Sequence, residues 1–199
     1  MKKALFSLLS VLLLALAFPA LAEPYTFFNG AQWGMSKAEI AEIEKAEPDH
    51  EEAMREHVWV LEYDDQTVSR YTADRAYVFA DDELFSVWYV NFSSNDDKDL
   101  KYLQGALTSL YGEATALPPE NIMAFMANVL GMDLSTEEIN KEVNEIVSSS
   151  QWTVGDDTDI WLFNVTWDSD RSDGNVIFLF YMDANFDESQ IGIYDTTGL

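Results

Sequence analysis

Residues 57–92 read HVWVLEYDDQTVSRYTADRAYVFADDELFSVWYVNF, and this stretch decides the fold class. Three runs in it, His57 to Tyr63, Ala73 to Ala80 and Leu84 to Phe92, are dense in aromatic and β-branched residues, which suit the pleated surface of a strand. Asp64-Asp65 and Asp81-Asp82 separate or end them with turn chemistry. The pattern predicts an antiparallel meander. In the last run, alternation puts Leu84, Trp88, Val90 and Phe92 on one side and Phe85, Val87 and Tyr89 on the other. Neither side is polar, so both faces of the sheet should be at least partly covered.

Upstream, Ser36-Lys37-Ala38-Glu39 is a capping box, in which the hydroxyl and the carboxylate satisfy amides at a helix start. It predicts a helix over about 37–46, stopping before Pro48, with Ile40, Ala41 and Ile43 as a narrow apolar stripe. Downstream, Asp97 to Tyr111 places Leu100, Leu103, Leu107 and Leu110 on one helical side, and Gly112 ends the helix. Pro118-Pro119 opens a further helix carrying Ile122, Phe125, Met126 and Val129. A second capping box, Ser135 to Glu138, opens another with Ile139, Val143 and Ile146 inward. Strand character returns at Gln151 to Val154, Asp159 to Trp167 and Asn175 to Met182, and residues 183–199 lack clear periodicity.

The order predicts an α+β fold: an antiparallel sheet of about six strands, built from two helix-plus-three-strand units. Its helices pack on one side, with a helical insertion at 113–150. One domain over residues 23–199 is expected.

Residues 1–22 have the form of a secretory signal peptide. Lys2 and Lys3 precede an apolar run from Ala4 to Phe18, and Ala20-Leu21-Ala22 offers small residues at the cleavage site. No cysteine follows, so neither lipid attachment nor a disulfide is expected, and a periplasmic or extracellular address is implied. The formal net charge is −25, from 36 acids against 11 Lys and Arg. Such a surface repels phosphate backbones and anionic head groups, which argues against nucleic acid and membranes as partners. Another exported protein of basic character, a cationic peptide or a divalent cation fits better, although solubility alone is a sufficient reason for the charge; the sequence leaves the oligomeric state open.

Phe27 to Glu39 reads FFNGAQWGMSKAE. An aromatic-Gly pair followed by Met-Ser and a first helix resembles the superfamily of the β-lactamase inhibitor proteins and the small outer-membrane lipoprotein of the β-barrel assembly machinery. The resemblance covers Trp33 to Glu39 and, more loosely, Tyr111-Gly112-Glu113. It implies an α+β fold and protein binding. The missing lipidation cysteine, the missing disulfide and the insertion depart from the family, and no interface residue carries over.

No catalytic constellation stands out. The two histidines are His50 and His57, and no candidate nucleophile sits in a strained turn. A hydrolase using a carboxylate pair remains the alternative to a non-catalytic binding or assembly module, since it needs only two acids about 5–9 Å apart. No cofactor motif is present. Calcium is the one ion suggested, at Asp168, Asp170 and Asp173 before Gly174, although Asp173-Gly174 is equally good hairpin chemistry. Asp183, Asn185 and Asp187 alternate similarly, but Glu188 and Tyr194 stand where an EF-hand loop needs glycine and glutamate. A binding surface is suggested by Trp161, Phe163, Val165 and Trp167, which alternate opposite Ile160, Leu162, Asn164 and Thr166. If helices cover the isoleucine side, the tryptophan side is open to a protein or a sugar; otherwise it faces the core or lies beneath the insertion. Met123, Met126 and Met132 lie in an uncharged helical stretch that is either buried or adaptable.

Overall fold

A computed structural model describes residues 30–130, 143–169 and 172–187. The expected signal peptide and the C-terminal stretch from 188 lie outside the described residues. Among the described residues three helices, α1 (Lys37–Glu44), α2 (Asp97–Tyr111) and α3 (Pro119–Leu130), accompany one sheet. Its strands are β1 (His50–Arg55), β2 (Val58–Val68), β3 (Tyr71–Ala80), β4 (Glu83–Val90), β5 (Thr115–Ala116), β6 (Val143–Val154), β7 (Thr158–Ser169) and β8 (Ser172–Asp183).

The sheet has eight strands in the order β1-β2-β3-β4-β8-β7-β6-β5, with every pairing antiparallel. Six strands in two helix-plus-three-strand units is therefore incorrect. Both additional strands lie at sheet edges. The β1 sequence HEEAMR shows no alternation because its first four residues are all exposed. β5 is only two residues long.

The helices also occupy both faces, not one. Ile40 of α1 and Leu100, Leu103 and Leu107 of α2 pack with Tyr77, Phe79, Ile160 and Leu162. Ile122 and Phe125 of α3 pack with Val78, Trp88, Phe163 and Phe180 on the opposite face. A sheet covered twice needs apolar residues at successive positions, which explains the near-continuous burial of β3 and β4. Leu110, expected inward on α2, is 71% exposed; the packed side of the helix runs from Leu107 to Tyr111 instead.

β6 starts at Val143, where the second inserted helix was expected; Val143 pairs with Trp167 and Ile146 with Val165. The 3-4 spacing of Ile139, Val143 and Ile146 mimics a helix, but the last two belong to a ladder. Ser135 to Glu138 and Ile139 lie outside the described residues. In the β7–β8 hairpin, Asp173 and Gly174 pair with Asp168 and Trp167, and the ladder continues to Ser169 and Ser172. Asp173-Gly174 thus lies within the ladder and does not form the hairpin turn.

Two bulges rearrange the side chains. Between Tyr63 and Gln66 the register shifts around Asp65, which takes a positive φ of 51°, so β2 passes through the expected Asp64-Asp65 turn and ends at Val68. A second shift separates Val78↔Ser86 from Phe79↔Leu84, leaving Phe85 as the extra residue. It moves Leu84 to the α1 and α2 face with Val87 and Tyr89, while Phe85 joins Trp88 and Val90 on the α3 face. Positive φ at Asn91 follows, and Phe92 also packs on the α1 and α2 face.

Candidate functional site

The N-terminus of α1 is tied down from three directions. Ser36 Oγ accepts from Glu39 N at 3.3 Å and the Glu39 carboxylate accepts from Ser36 N at 2.9 Å, completing the expected capping box. Asp82 Oδ1 accepts from Lys37 N at 3.1 Å, an anion at a helix start. Gly34 N and Leu84 N donate to Leu84 O and Met35 O, both at 2.9 Å, and stitch the incoming chain to β4.

This anchoring holds the Lys37 ammonium 4.1 Å from the centre of the Trp59 ring and 3.1 Å from Glu51 Oε1. Trp59 on β2 is 36% exposed, one of the few large apolar side chains in the open. Its cross-strand neighbour on β1 is Ala53, too small to cover it. The result is an open groove of about 690 Å³ lined by Lys37, Ala53, Arg55, Glu56, His57, Trp59, Asp81 and Asp82.

The groove floor ends at two tight turns. Asp81 and Asp82 both adopt positive φ, 48° and 69°, the requirement of the two-residue hairpin that joins β3 to β4. His57, φ 68°, lies in the β1–β2 turn, and Asp81 N donates to His57 O at 2.9 Å. His57 Nδ1 lies 2.8 Å from Asp81 Oδ1, and Nε2 lies 3.5 Å from Glu56 Oε1. An imidazole oriented by a carboxylate is half of a nucleophile-activating arrangement. None of the lining residues is a serine, threonine, cysteine or tyrosine. The groove offers an aromatic face, charges of both signs and an imidazole, a set suited to contact with a side chain or backbone of another molecule.

A second cluster lies on the other face of the same strands. Glu62, Asp64 and Asp74 place carboxylate oxygens within 4.8 Å of one another. Burial, followed by the like charges of Asp74 and Asp64, pushes the Glu62 carboxyl above its usual range. Such a trio can share a proton or ligate a cation. Asp74 already accepts from Asp65 N at 3.1 Å and from Asn91 Nδ2 at 2.8 Å, and Asp64 lies 3.9 Å from His50 Nε2. Three carboxylates fall short of the six to eight oxygens that calcium takes, so protein ligands alone do not complete such a site.

The residues singled out from sequence lie elsewhere. Trp161 and Phe163 face α3: the Phe125 ring stands 5.4 Å from Trp161, and Phe163, 1% exposed, stacks on Phe178 at 5.1 Å. They belong to an aromatic bed beneath the helix, continued by Trp88 stacked on Phe180 at 5.0 Å. The backbone pairs Trp167 with Gly174 and Asp168 with Asp173, while Asp170 lies outside the described residues. The groove around Trp59 was missed because nothing in the spacing of Lys37 and Trp59 shows that α1 returns over β2. The exposed capping box and the acidic hairpin are its local signals, and neither reveals the other's proximity. Comparisons of the chain with protein-family models, with curated proteins and with solved structures give no match.

Proposed function

We propose that the chain is an exported, non-catalytic protein-binding module and that the groove around Trp59 is its contact surface. The observation that carries this reading is an exposed tryptophan fixed under a lysine in an open, mixed-charge groove. Tryptophan is the side chain most enriched where interfaces concentrate their binding energy, because it covers a large area at little entropic cost. A partly exposed ring already oriented by Lys37 and by the Asp82-capped helix loses less freedom on binding than a mobile one. The signal-like residues 1–22, the acidic balance and the resemblance of Trp33 to Glu39 to a superfamily of exported binding proteins point the same way.

Site-specific photo-crosslinking in the source cells tests it. A crosslinking residue at Ala53, in the groove, is expected to give a discrete adduct with an exported protein that the same residue at Lys101, exposed on α2, does not give. Equal labelling from both positions removes the groove from consideration. Turnover of a glycan or peptide by the purified protein, abolished by Glu62→Gln or Asp74→Asn, replaces the binding reading with a carboxylate-pair hydrolase.

A further inference from the structure

Strand β1 ends the sheet, and among the described residues β2 is its sole strand partner. Its outward row of amides and carbonyls is a template for another strand. Proteins usually blunt such an edge with lysine, proline or a covering element. Here the residues exposed along it are His50, Glu51, Glu52 and Ala53, and the register with β2 shifts only between Ala53 and Arg55.

The two faces of β1 lead to different chemistry. His50 pairs with Glu62 and Glu52 with Val60, so one face runs directly into the Glu62, Asp64 and Asp74 carboxylates. Glu51 pairs with Leu61 and Ala53 with Trp59, so the other face runs into the tryptophan groove. Strands lie about 4.8 Å apart. A long side chain on an added strand can therefore cross Ala53 and reach the exposed Trp59 ring.

Building on the reading of that groove as a protein-contact surface, we infer that β1 receives an extended basic segment of a partner protein as a further strand. On this segment lysine or arginine alternates with apolar or aromatic side chains. The basic side chains lie beside Glu52 and Glu62, where like charges crowd without an equal number of cations; the apolar ones lie over Ala53 against Trp59. A second copy of this chain is the wrong occupant, because antiparallel pairing of two β1 strands sets Glu51 and Glu52 against the same acids, and like charges directly opposite are destabilising. The acids thus select as well as protect: they disfavour self-pairing and favour a cationic strand.

The purified protein is titrated with a short peptide alternating lysine and leucine. Two controls accompany it: glutamate in place of lysine, and the original peptide N-methylated along one pairing edge. Amide exchange of residues 50–55 and Trp59 fluorescence report binding. The lysine peptide is expected to protect the β1 amides, and Glu52→Lys to weaken it by about tenfold or more, since truncating or reversing a charge pair at a contact acts on affinity at that scale. Glu52 is exposed on an edge strand, so this variant keeps the fold, which is verified by its thermal transition. Equal binding of the N-methylated peptide overturns strand addition, yet leaves the groove reading standing if Trp59→Ala still weakens the complex. If neither Glu52→Lys nor Trp59→Ala changes affinity, both readings fall. No protection of residues 50–55 at millimolar peptide, or a concentration-dependent dimer that protects them without peptide, also overturns the inference.

Discussion

The Arg75 guanidinium on β3 lies 2.6 Å from the Glu44 carboxylate, the last residue of α1, with only 7% and 5% of the two side chains exposed. The Tyr77 hydroxyl donates to the other Glu44 oxygen, and Arg75 also donates to Gln66 Oε1 at 3.2 Å. A carboxylate at a helix C-terminus opposes the helix dipole, and α1 has no basic residue in its last turn. Glu44 is therefore held by the sheet beneath it. One end of α1 is fixed by this pair and the other by Asp82 and the Ser36 cap, and the fixed helix carries Lys37 over Trp59.

Removing one member of that pair leaves a buried charge without its counterion. Glu44→Gln is expected to cost about 3–5 kcal/mol in denaturant unfolding. The paired change Glu44→Leu with Arg75→Met should recover most of the loss, because a well-packed apolar pair avoids the desolvation of both ions. A single-variant loss below about 1 kcal/mol would show that the pair is solvated.

Asp99, at the start of α2, accepts hydrogen bonds from Ser94, Tyr71 and Arg70. The bonds from Ser94 and Tyr71, with a further one from Arg70, hold its carboxyl well below its ordinary value of 3.8. A lowered folded value contributes stability above the unfolded one and loses it as pH falls through the folded one. Asp99→Asn should therefore lower Tm at neutral pH, with the gap to wild type closing only at strongly acidic pH. A gap that does not change with pH would mean that the ionised form is not what the three donors stabilise.

Glu62 has the opposite sign. Burial and the nearby acids raise its carboxyl above 4.5, so the ionised form costs the folded state, and the cost disappears as pH falls through the raised value towards 4.5. Glu62→Gln should raise Tm at neutral pH, with the advantage vanishing below about pH 4, where the carboxyl is protonated in both states. Added sodium chloride should shrink it as well, because the neighbouring charges are partly exposed and screened. A destabilised variant at pH 7 would point instead to a cation or donor that Glu62 holds.

Local signals in the sequence were legible where one element decides its own structure. The Ser36 and Glu39 cap, the leucines of Asp97–Tyr111 and the proline start of α3 each specify a helix without reference to the rest of the chain. What failed depends on neighbours. β1 has little to announce it, since its first four residues are all exposed and keep no apolar pattern. Val143 and Ile146 fit a helix until Trp167 and Val165 are known to pair with them. The face of Leu84 turns on one bulged residue, Phe85, which alternation cannot foresee. The site at Trp59 needs three elements at once: α1, the β1 edge and the Asp81-Asp82 turn.

Coverage of the second face by α3 yields the final prediction. Phe125, 6% exposed, is the helix residue that meets Trp88 at 6.4 Å, Trp161 at 5.4 Å and Phe180 at 5.9 Å. Large-to-small changes at such contacts remove about 3–5 kcal/mol when the whole domain must open with them. Of the described helix side chains, Ile122 and Phe125 alone join the buried cluster on that face, whereas the other face receives Ile40 and three leucines from α1 and α2. Elements with few buried contacts detach before the domain unfolds. Phe125→Ala should therefore release α3 locally. Tryptophan emission shifts to the red and a hydrophobic dye binds at denaturant concentrations where the amides of β2 and β3 remain protected from exchange. Simultaneous loss of the tryptophan signal and of β2 and β3 protection would show instead that the helix and the sheet fold as one unit, and that the aromatic bed holds the whole domain together.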